Sequence, residues 1–266
     1  MQGDICDQEL IEQLIDQHKI NNIVHFAAES HVDRSITAGP KDFIQTNIMG
    51  TFSLLEAVKK TWLNTYKWSK SDCRFHHIST DEVYGTLNND DPAFTETTSY
   101  APNSPYSASK AGSNHLVRAY FHTYGLPVTT SNCSNNYGPY QHAEKLIPTV
   151  IRSCLKMKIY LFYGDGSNIR DWLYVWDHCV AIDQIIKNGN IGETYNIGGN
   201  NEISNINLVH NICNLLNDIK PSHTDYKNLI RFVTDRPGHD WRYAINNAKI
   251  QRELNWSPSY KNGAGS

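Results

Sequence analysis

From residue 7 to residue 131 the sequence alternates between stretches whose apolar residues recur every three or four positions and short runs that are apolar almost throughout. Asp7 is placed to cap a helix carrying Leu10, Ile11, Leu14 and Ile15, and Ile23-Val24-His25-Phe26-Ala27-Ala28 follows as a buried strand. A second helix is expected from about Pro40 to Trp62, with Phe43, Leu54, Leu55 and Val58 toward the core. A second strand follows over Phe75-His76-His77-Ile78-Ser79. The third helix has the sharpest boundaries: Ser104 as cap, Pro105 at the first helical position and Gly125 at the end, before the strand Leu126 to Ser131. Strands apolar on both faces need cover on both faces. The alternation therefore predicts an α/β fold with a parallel sheet between two layers of helices.

After about Tyr137 the texture changes to more glycine, asparagine and aromatic residues and shorter elements. Helices are expected over Ile147 to Met157 and Val175 to Lys187, and strands over Ile159 to Tyr163 and Tyr195 to Gly198. A last helix, Asn207 to Ile219, is amphipathic through Leu208, Ile212, Leu215, Leu216 and Ile219. The expected division is residues 1–138 as one lobe and 139–266 as mainly a second, smaller one, with about 172–198 returning to the first.

The chain has 266 residues, enough for a sizeable core, and a net charge of −3 without any block of lysine and arginine. Neither nucleic acid nor an anionic membrane surface is the expected partner. No apolar run approaches the roughly 20 residues a membrane helix needs, and Met-Gln-Gly-Asp-Ile-Cys-Asp lacks the basic-then-apolar order of a secretory signal, so a cytoplasmic location is expected. Six scattered cysteines without a CxxC spacing read as reduced, buried thiols. His76 and His77 point to opposite faces of a strand and read as structural, so no metal site is expected. Asp171-Trp172-Leu173-Tyr174-Val175-Trp176 reads as core or lobe interface.

Two constellations carry chemistry. Tyr106 and Lys110 stand one helical turn apart, so both can face one site, and an adjacent ammonium is expected to lower the phenol's affinity for its proton. Taken alone, YxxxK is a weak pattern that any solvated pair satisfies. Its helix, however, follows a strand that ends in Ser79-Thr80-Asp81-Glu82, and the C-terminal ends of parallel strands are where open sheets bind ligands. Thr80, Asp81 and Glu82 are compatible with a plain capping turn. Two adjacent carboxyls also split their proton affinities, leaving one as acid and the other as base, which loss of water requires. Gly164-Asp165-Gly166 and Asp235-Arg236-Pro237-Gly238-His239 read as turns, although Arg170, Arg236 and His239 also suit a diphosphate.

In sequence order, His25 to Ser35, Ser79 to Gly85, Tyr106 to Lys110, Asn132 to Tyr140, Glu144 to Pro148, Arg170 to Val175 and Asp235 to His239 resemble the nucleoside-diphosphate-glucose 4,6-dehydratases of the extended short-chain dehydrogenase/reductase superfamily. The resemblance runs from the first residue to about Tyr260. It implies a Rossmann-like fold with a smaller C-terminal substrate lobe, NAD as cofactor, a homodimer and a nucleotide glucose as substrate, dTDP fitting better than UDP. It implies NAD contacts at Asp4, Ile5, Ala27, Ala28, Thr46, Tyr106, Lys110 and Asn136. Ser30, Thr80, Asn135, Lys145, Leu146, Arg170, Asn205, Arg236 and His239 fall at nucleotide-sugar positions. Asp81 takes the place of the general acid, Glu82 that of the base, and Thr80, Tyr106 and Lys110 complete the catalytic set. Related UDP-sugar 4-epimerases share the Tyr-Lys pair but usually carry small hydroxyl residues in place of Asp81-Glu82.

One departure shapes what is expected of the chain. The family begins with a strand and a GxxGxxG turn whose backbone amides hold the cofactor's pyrophosphate, and a second strand with a ribose-binding acid; neither precedes Met1. Trp256-Ser257-Pro258 normally leads into one more helix. The chain is thus expected to be incomplete at both ends, to lack its first sheet strands and to bind NAD weakly as it stands. A working dehydratase is one expectation, and a non-catalytic fragment or binding protein retaining the sugar lobe is the other.

Overall fold

The computed structural model describes residues 2–37, 39–235 and 237–260. Helix α1 (Gln8–His18) starts at Asp7, whose carboxylate accepts from the Leu10 amide at 3.0 Å, and buries Ile15. Strand β1 (Asn22–His25) and the short α2 (Val32–Thr37) precede a continuous helical run in which α3 (Lys41–Phe43) and α4 (Thr51–Val58) are joined and extended by wide π turns, Ile44–Gly50 and Lys59–Thr65. Strand β2 (Arg74–Thr80) passes into a single 3₁₀ turn, Asp81–Tyr84. Helix α5 (Pro105–Tyr124) has a reciprocal capping box between Ser104 and Ser107 and a left-handed Gly125 at its end, which fixes both termini.

Beyond α5 come β3 (Val128–Cys133), β4 (Asn135–Tyr137), α6 (Leu146–Leu155), β5 (Tyr160–Tyr163), β6 (Ile169–Tyr174) and α7 (Val175–Asn188). These are followed by β7 (Thr194–Ile197), β8 (Glu202–Ser204), α8 (Asn205–Ile219), β9 (Ile230–Val233) and α9 (Ala248–Leu254). The main sheet is parallel, in the order β1-β2-β3-β7. Its strands pack α5 and the α4 run on one face, where Leu55, Val58, Trp62, Phe75, Val117 and Leu126 form a closed core. On the other face α7 and α9 enclose Ile185, Tyr195, Ile197, Ile250 and Trp256. This is a Rossmann-like arrangement, and β7 belongs to it although it follows β4 to β6 in the chain. The remaining strands form smaller sheets, β4-β6-β8 and β5-β9, and a separate core joins α6, α8 and β5 through Val150, Phe162, Val209 and Cys213.

Four expectations require correction. The first strand stops at His25; Phe26 is 58% exposed, because Phe26 to Ser30 leaves the sheet as a loop. On α8, Val209, Ile212 and Cys213 are buried, but Leu215 and Ile219 lie 59% and 78% exposed: the apolar stripe is wider than the groove that receives it. Trp172 and Leu173 are core as read, whereas Trp176 begins α7 on its outer side and is 64% exposed. The six cysteines are free, and Cys73, Cys154 and Cys213 are buried, but Cys179 is exposed.

Candidate active site

The C-terminal ends of β1, β2 and β3 open into a cleft of about 500 Å³ walled by Ala28, Ser30, Thr80, Asp81, Glu82, Tyr106, Lys110, Asn135 and Asn136. A second compartment of about 320 Å³ adjoins it, walled by Ser30, Glu82, Asn135, Lys145, Leu146, Arg170, Asn205 and His239. Ser30, Glu82, Asn135, Lys145, Leu146 and Trp172 line both. The fold thus brings nearly all the singled-out residues into two connected spaces. Four lie off their walls: Asp4, Ile5, Ala27 and Thr46. Ile5 packs against Gly50, where an added Cβ would meet its Cδ1 at 2.4 Å, and Asp4 accepts from the Cys6 amide. Arg236 lies outside the described residues.

Local structure sets the first cleft. Thr80 caps the 3₁₀ turn through the Glu82 amide at 3.3 Å, so Asp81 and Glu82 project from one tight turn at the end of β2. Asp81 is 1% exposed, and burial first, then the Glu82 charge, raise its pKa well above the usual carboxylate range. The shift favours the protonated form, as suits an acid. On α5, Tyr106 and Lys110 are both buried. Burial lowers the Lys110 pKa to about 8, and its Nζ donates to the Ile78 carbonyl at 2.7 Å.

Here the structure overturns a reading of the helix spacing. The Tyr106 phenol is held well above its ordinary pKa, not below it, by burial and by the Glu82 carboxylate, with the Thr80 hydroxyl acting in the opposite sense. Helical spacing places Lys110 on the same face, but its ammonium is drawn to a strand carbonyl that local sequence does not reveal.

In the second compartment Lys145 Nζ donates to the Ser30 carbonyl at 2.9 Å, bridging the loop after β1 to the start of α6. Arg170 is 5% exposed; its guanidinium donates to the carbonyls of Ile169 (2.7 Å) and Asp240 (2.9 Å) and lies 4.2 Å from the Tyr243 ring centre. His239 Nδ1 pairs with Asp235 at 2.8 Å. The wall also includes Tyr160 to Tyr163, which sequence reading assigned only to a strand; an aromatic strand leading into Gly164-Asp165-Gly166 was the available signal.

Polar atoms without partners concentrate on these walls. Ser79 Oγ, Asp81 Oδ2, Asn136 Oδ1 and His178 Nε2 belong to residues that line the first space, Asn205 Oδ1 to one that lines the second, and Asn135 Oδ1 and Trp172 Nε1 to residues that line both; all are buried without a hydrogen-bond partner. Buried polar groups are nearly always bonded, so such a cluster marks surfaces completed by bound molecules. The donor and acceptor set, beside a Tyr-Lys pair, fits a nicotinamide nucleotide in the first space and a polar, anionic molecule in the second.

Comparison with known proteins agrees with this arrangement. The profile of the GDP-mannose 4,6 dehydratase family matches residues 1–265. A dTDP-glucose 4,6-dehydratase of Salmonella typhimurium is 56% identical over 264 residues, covering 96% of this chain and 73% of the relative. That of Xanthomonas campestris pv. campestris (strain B100) is 55% identical, covering 98% and 74%. Among solved structures, the dTDP-glucose 4,6-dehydratase of Streptomyces venezuelae with NAD bound superimposes with a TM-score of 0.87 at 42% identity, covering 99% of this chain and 75% of that one. A UDP-glucuronic acid 4-epimerase from Bacillus cereus shares the fold, with a TM-score of 0.83, at 26% identity over 97% of this chain and 76% of its own.

Proposed function

The chain belongs to the dTDP-glucose 4,6-dehydratase family, and on that footing we propose that it dehydrates dTDP-glucose to the 4-keto-6-deoxy sugar nucleotide with NAD as cofactor. One observation carries the reading: a buried Asp81, its carboxyl shifted toward the acid form, and the adjacent Glu82 share a cleft with Tyr106 and Lys110. A 4-epimerase needs only the second pair.

Bound NAD would supply a reversible hydride acceptor for the sugar's C4, and Ala28, Asn136, Tyr106 and Lys110 would hold it. Tyr106 removes the proton of the C4 hydroxyl, and Lys110, cationic below pH about 8, stands one helical turn away in the same cleft. Oxidation at C4 acidifies the C5–H bond. Glu82 then takes the C5 proton while Asp81 donates to the departing C6 hydroxyl, and Thr80 holds the turn that presents both. Ala28, Asn136, Tyr106 and Lys110 line the cofactor space, and Asp4, Ile5, Ala27 and Thr46, off its walls, are assigned to the cofactor as well. Ser30, Thr80, Asn135, Lys145, Leu146, Arg170, Asn205, Arg236 and His239 are assigned to the nucleotide sugar. The cofactor lobe is 1–138 and the sugar lobe mainly 139–266, with 172–198 in the first; the pairing of β7 with β3 supports that return.

A homodimer in the cytoplasm completes the proposal. Ile44, Met49 and Phe52 are exposed along the α3–α4 run, supporting a second copy there. Free cysteines suit a reducing compartment, and among the described residues no helix is long and apolar enough to cross a membrane. The test is incubation with NAD and either dTDP-glucose or UDP-glucose, followed by mass spectrometry. Loss of one water from the dTDP sugar is expected; a 4-epimer without water loss, or faster reaction of the UDP sugar, overturns the reading. Glu82→Gln should still oxidise C4 but form no 4-keto-6-deoxy product.

A further inference from the structure

The turn bearing Asp81 and Glu82 ends at Tyr84, whose side chain enters a buried polar network remote from the cleft wall. Its hydroxyl accepts from Asn132 Nδ2 at 2.8 Å and donates to Asn196 Oδ1 at 2.8 Å, tying the turn to β3 and β7. Asn132 Oδ1 accepts in turn from Asn114 Nδ2 at 3.1 Å, and Asn114 lies on α5, one turn beyond Lys110. Asn196 is itself fixed, its amide donating to Glu96 at 2.9 Å and its side chain to the Phe94 carbonyl at 3.1 Å. The Tyr84 ring stacks on Phe94 with centroids 5.0 Å apart and meets Tyr100 edge-on at 5.3 Å.

We infer that the Tyr84 hydroxyl is a positioning group that sets the Asp81–Glu82 turn relative to Tyr106 and Lys110. The inference rests on the dehydratase reading and extends it to how two steps share one substrate. Oxidation occurs at C4 and elimination at the neighbouring C5 and C6, so the two residue pairs must keep a fixed separation. Tyr84 is the point where the turn, both strands and the helix of the oxidising pair are joined by hydrogen bonds. In a buried hydrogen-bond network each member restricts the arrangements open to the others. Tyr100 provides an internal control: its hydroxyl accepts from Asn114 at 3.1 Å and Asn132 at 3.3 Å, but its ring is not part of the dyad's turn.

The experiment compares Tyr84→Phe with Tyr100→Phe. In NAD-loaded protein, Tyr84→Phe should slow elimination at least tenfold while C4 oxidation, read in single turnover by the nicotinamide absorbance, stays within twofold; Tyr100→Phe should leave the ratio of the two steps unchanged. In protein without NAD, ¹³C-carboxyl NMR should show the Asp81 titration midpoint moving by at least one pH unit in Tyr84→Phe and staying in place in Tyr100→Phe. An unmoved midpoint and an unchanged step ratio in Tyr84→Phe, or equal changes in both variants, overturn the inference. The carboxyl titration requires no turnover, so it reads positioning even if the parent protein forms no dehydrated product, an outcome that would instead refute the dehydratase reading.

Discussion

Lys110, on α5, donates its ammonium proton to the carbonyl of Ile78, 2.7 Å away near the end of β2. The bond pins the helix carrying Tyr106 to the strand that launches Asp81 and Glu82. It also holds a buried cation whose pKa burial takes down to about 8 against the opposing influence of Cys133.

Replacing Lys110 should therefore separate stability from activity. The folded pKa lies below the ordinary value of 10.5, so the unfolded chain binds this proton more tightly, and the penalty is complete below pH about 8 and is relieved as pH rises toward 10.5. Lys110→Met should gain about 1–3 kcal/mol at pH 7 by urea unfolding, with a smaller gain at pH 10, while C4 oxidation falls at least about 100-fold. The fall in activity is measured by single-turnover absorbance.

Asp81 should act through its proton. Its folded pKa is raised, by burial first and then by the Glu82 charge, so the acid form persists to higher pH than in an exposed carboxyl. Asp81→Asn should slow elimination by about 10²–10⁴-fold and abolish the alkaline limb of the pH–rate profile that belongs to this group, leaving C4 oxidation in place. Steady-state rates across pH, with the 4-keto intermediate followed by mass spectrometry, check both parts.

The buried histidines should make the fold acid-sensitive. His25 and His76 are pushed down to about 3, and His178 to about 4, chiefly by burial. Their folded values lie below 6.5, so the unfolded chain gains protons first, and stability is lost as pH falls from about 6.5. His178→Leu should lose less stability between pH 7 and pH 4.5 than the parent, by about 1–3 kcal/mol. Urea unfolding at the two pH values measures the difference.

Gly85 should tolerate no side chain. It closes the acid–base turn at φ +93°, and an added Cβ would stand 2.5 Å from the Ala101 carbonyl oxygen. Gly85→Ala should cost about 2–4 kcal/mol from strain and clash together, and reduce elimination more than C4 oxidation. Thermal unfolding and step-resolved kinetics distinguish the two effects.

These residues also show what a sequence conveys and what it withholds. Ser104, Pro105 and Gly125 delimit α5 because capping is a local matter, decided within a few positions. The apolar runs reveal the parallel sheet for the same reason. The direction of the Tyr106 shift was not legible, since it depends on burial and then on Glu82 from another element. Nor did the stripe on α8 disclose that Leu215 and Ile219 stay uncovered, because a periodicity states what is apolar without stating what packs on it. Two-space geometry was equally hidden: residues as far apart as Ser30, Glu82 and Lys145 meet only after the lobes close around one another.

Glu82 and Asn135 stand on the boundary of both compartments. A molecule confined to either space can therefore be held without evicting an occupant of the other, whereas the reacting sugar must lie across the threshold and touch both. It follows that a nucleoside diphosphate lacking its sugar should compete with the substrate while leaving the dinucleotide's seat accessible: rivalry on one side, coexistence on the other.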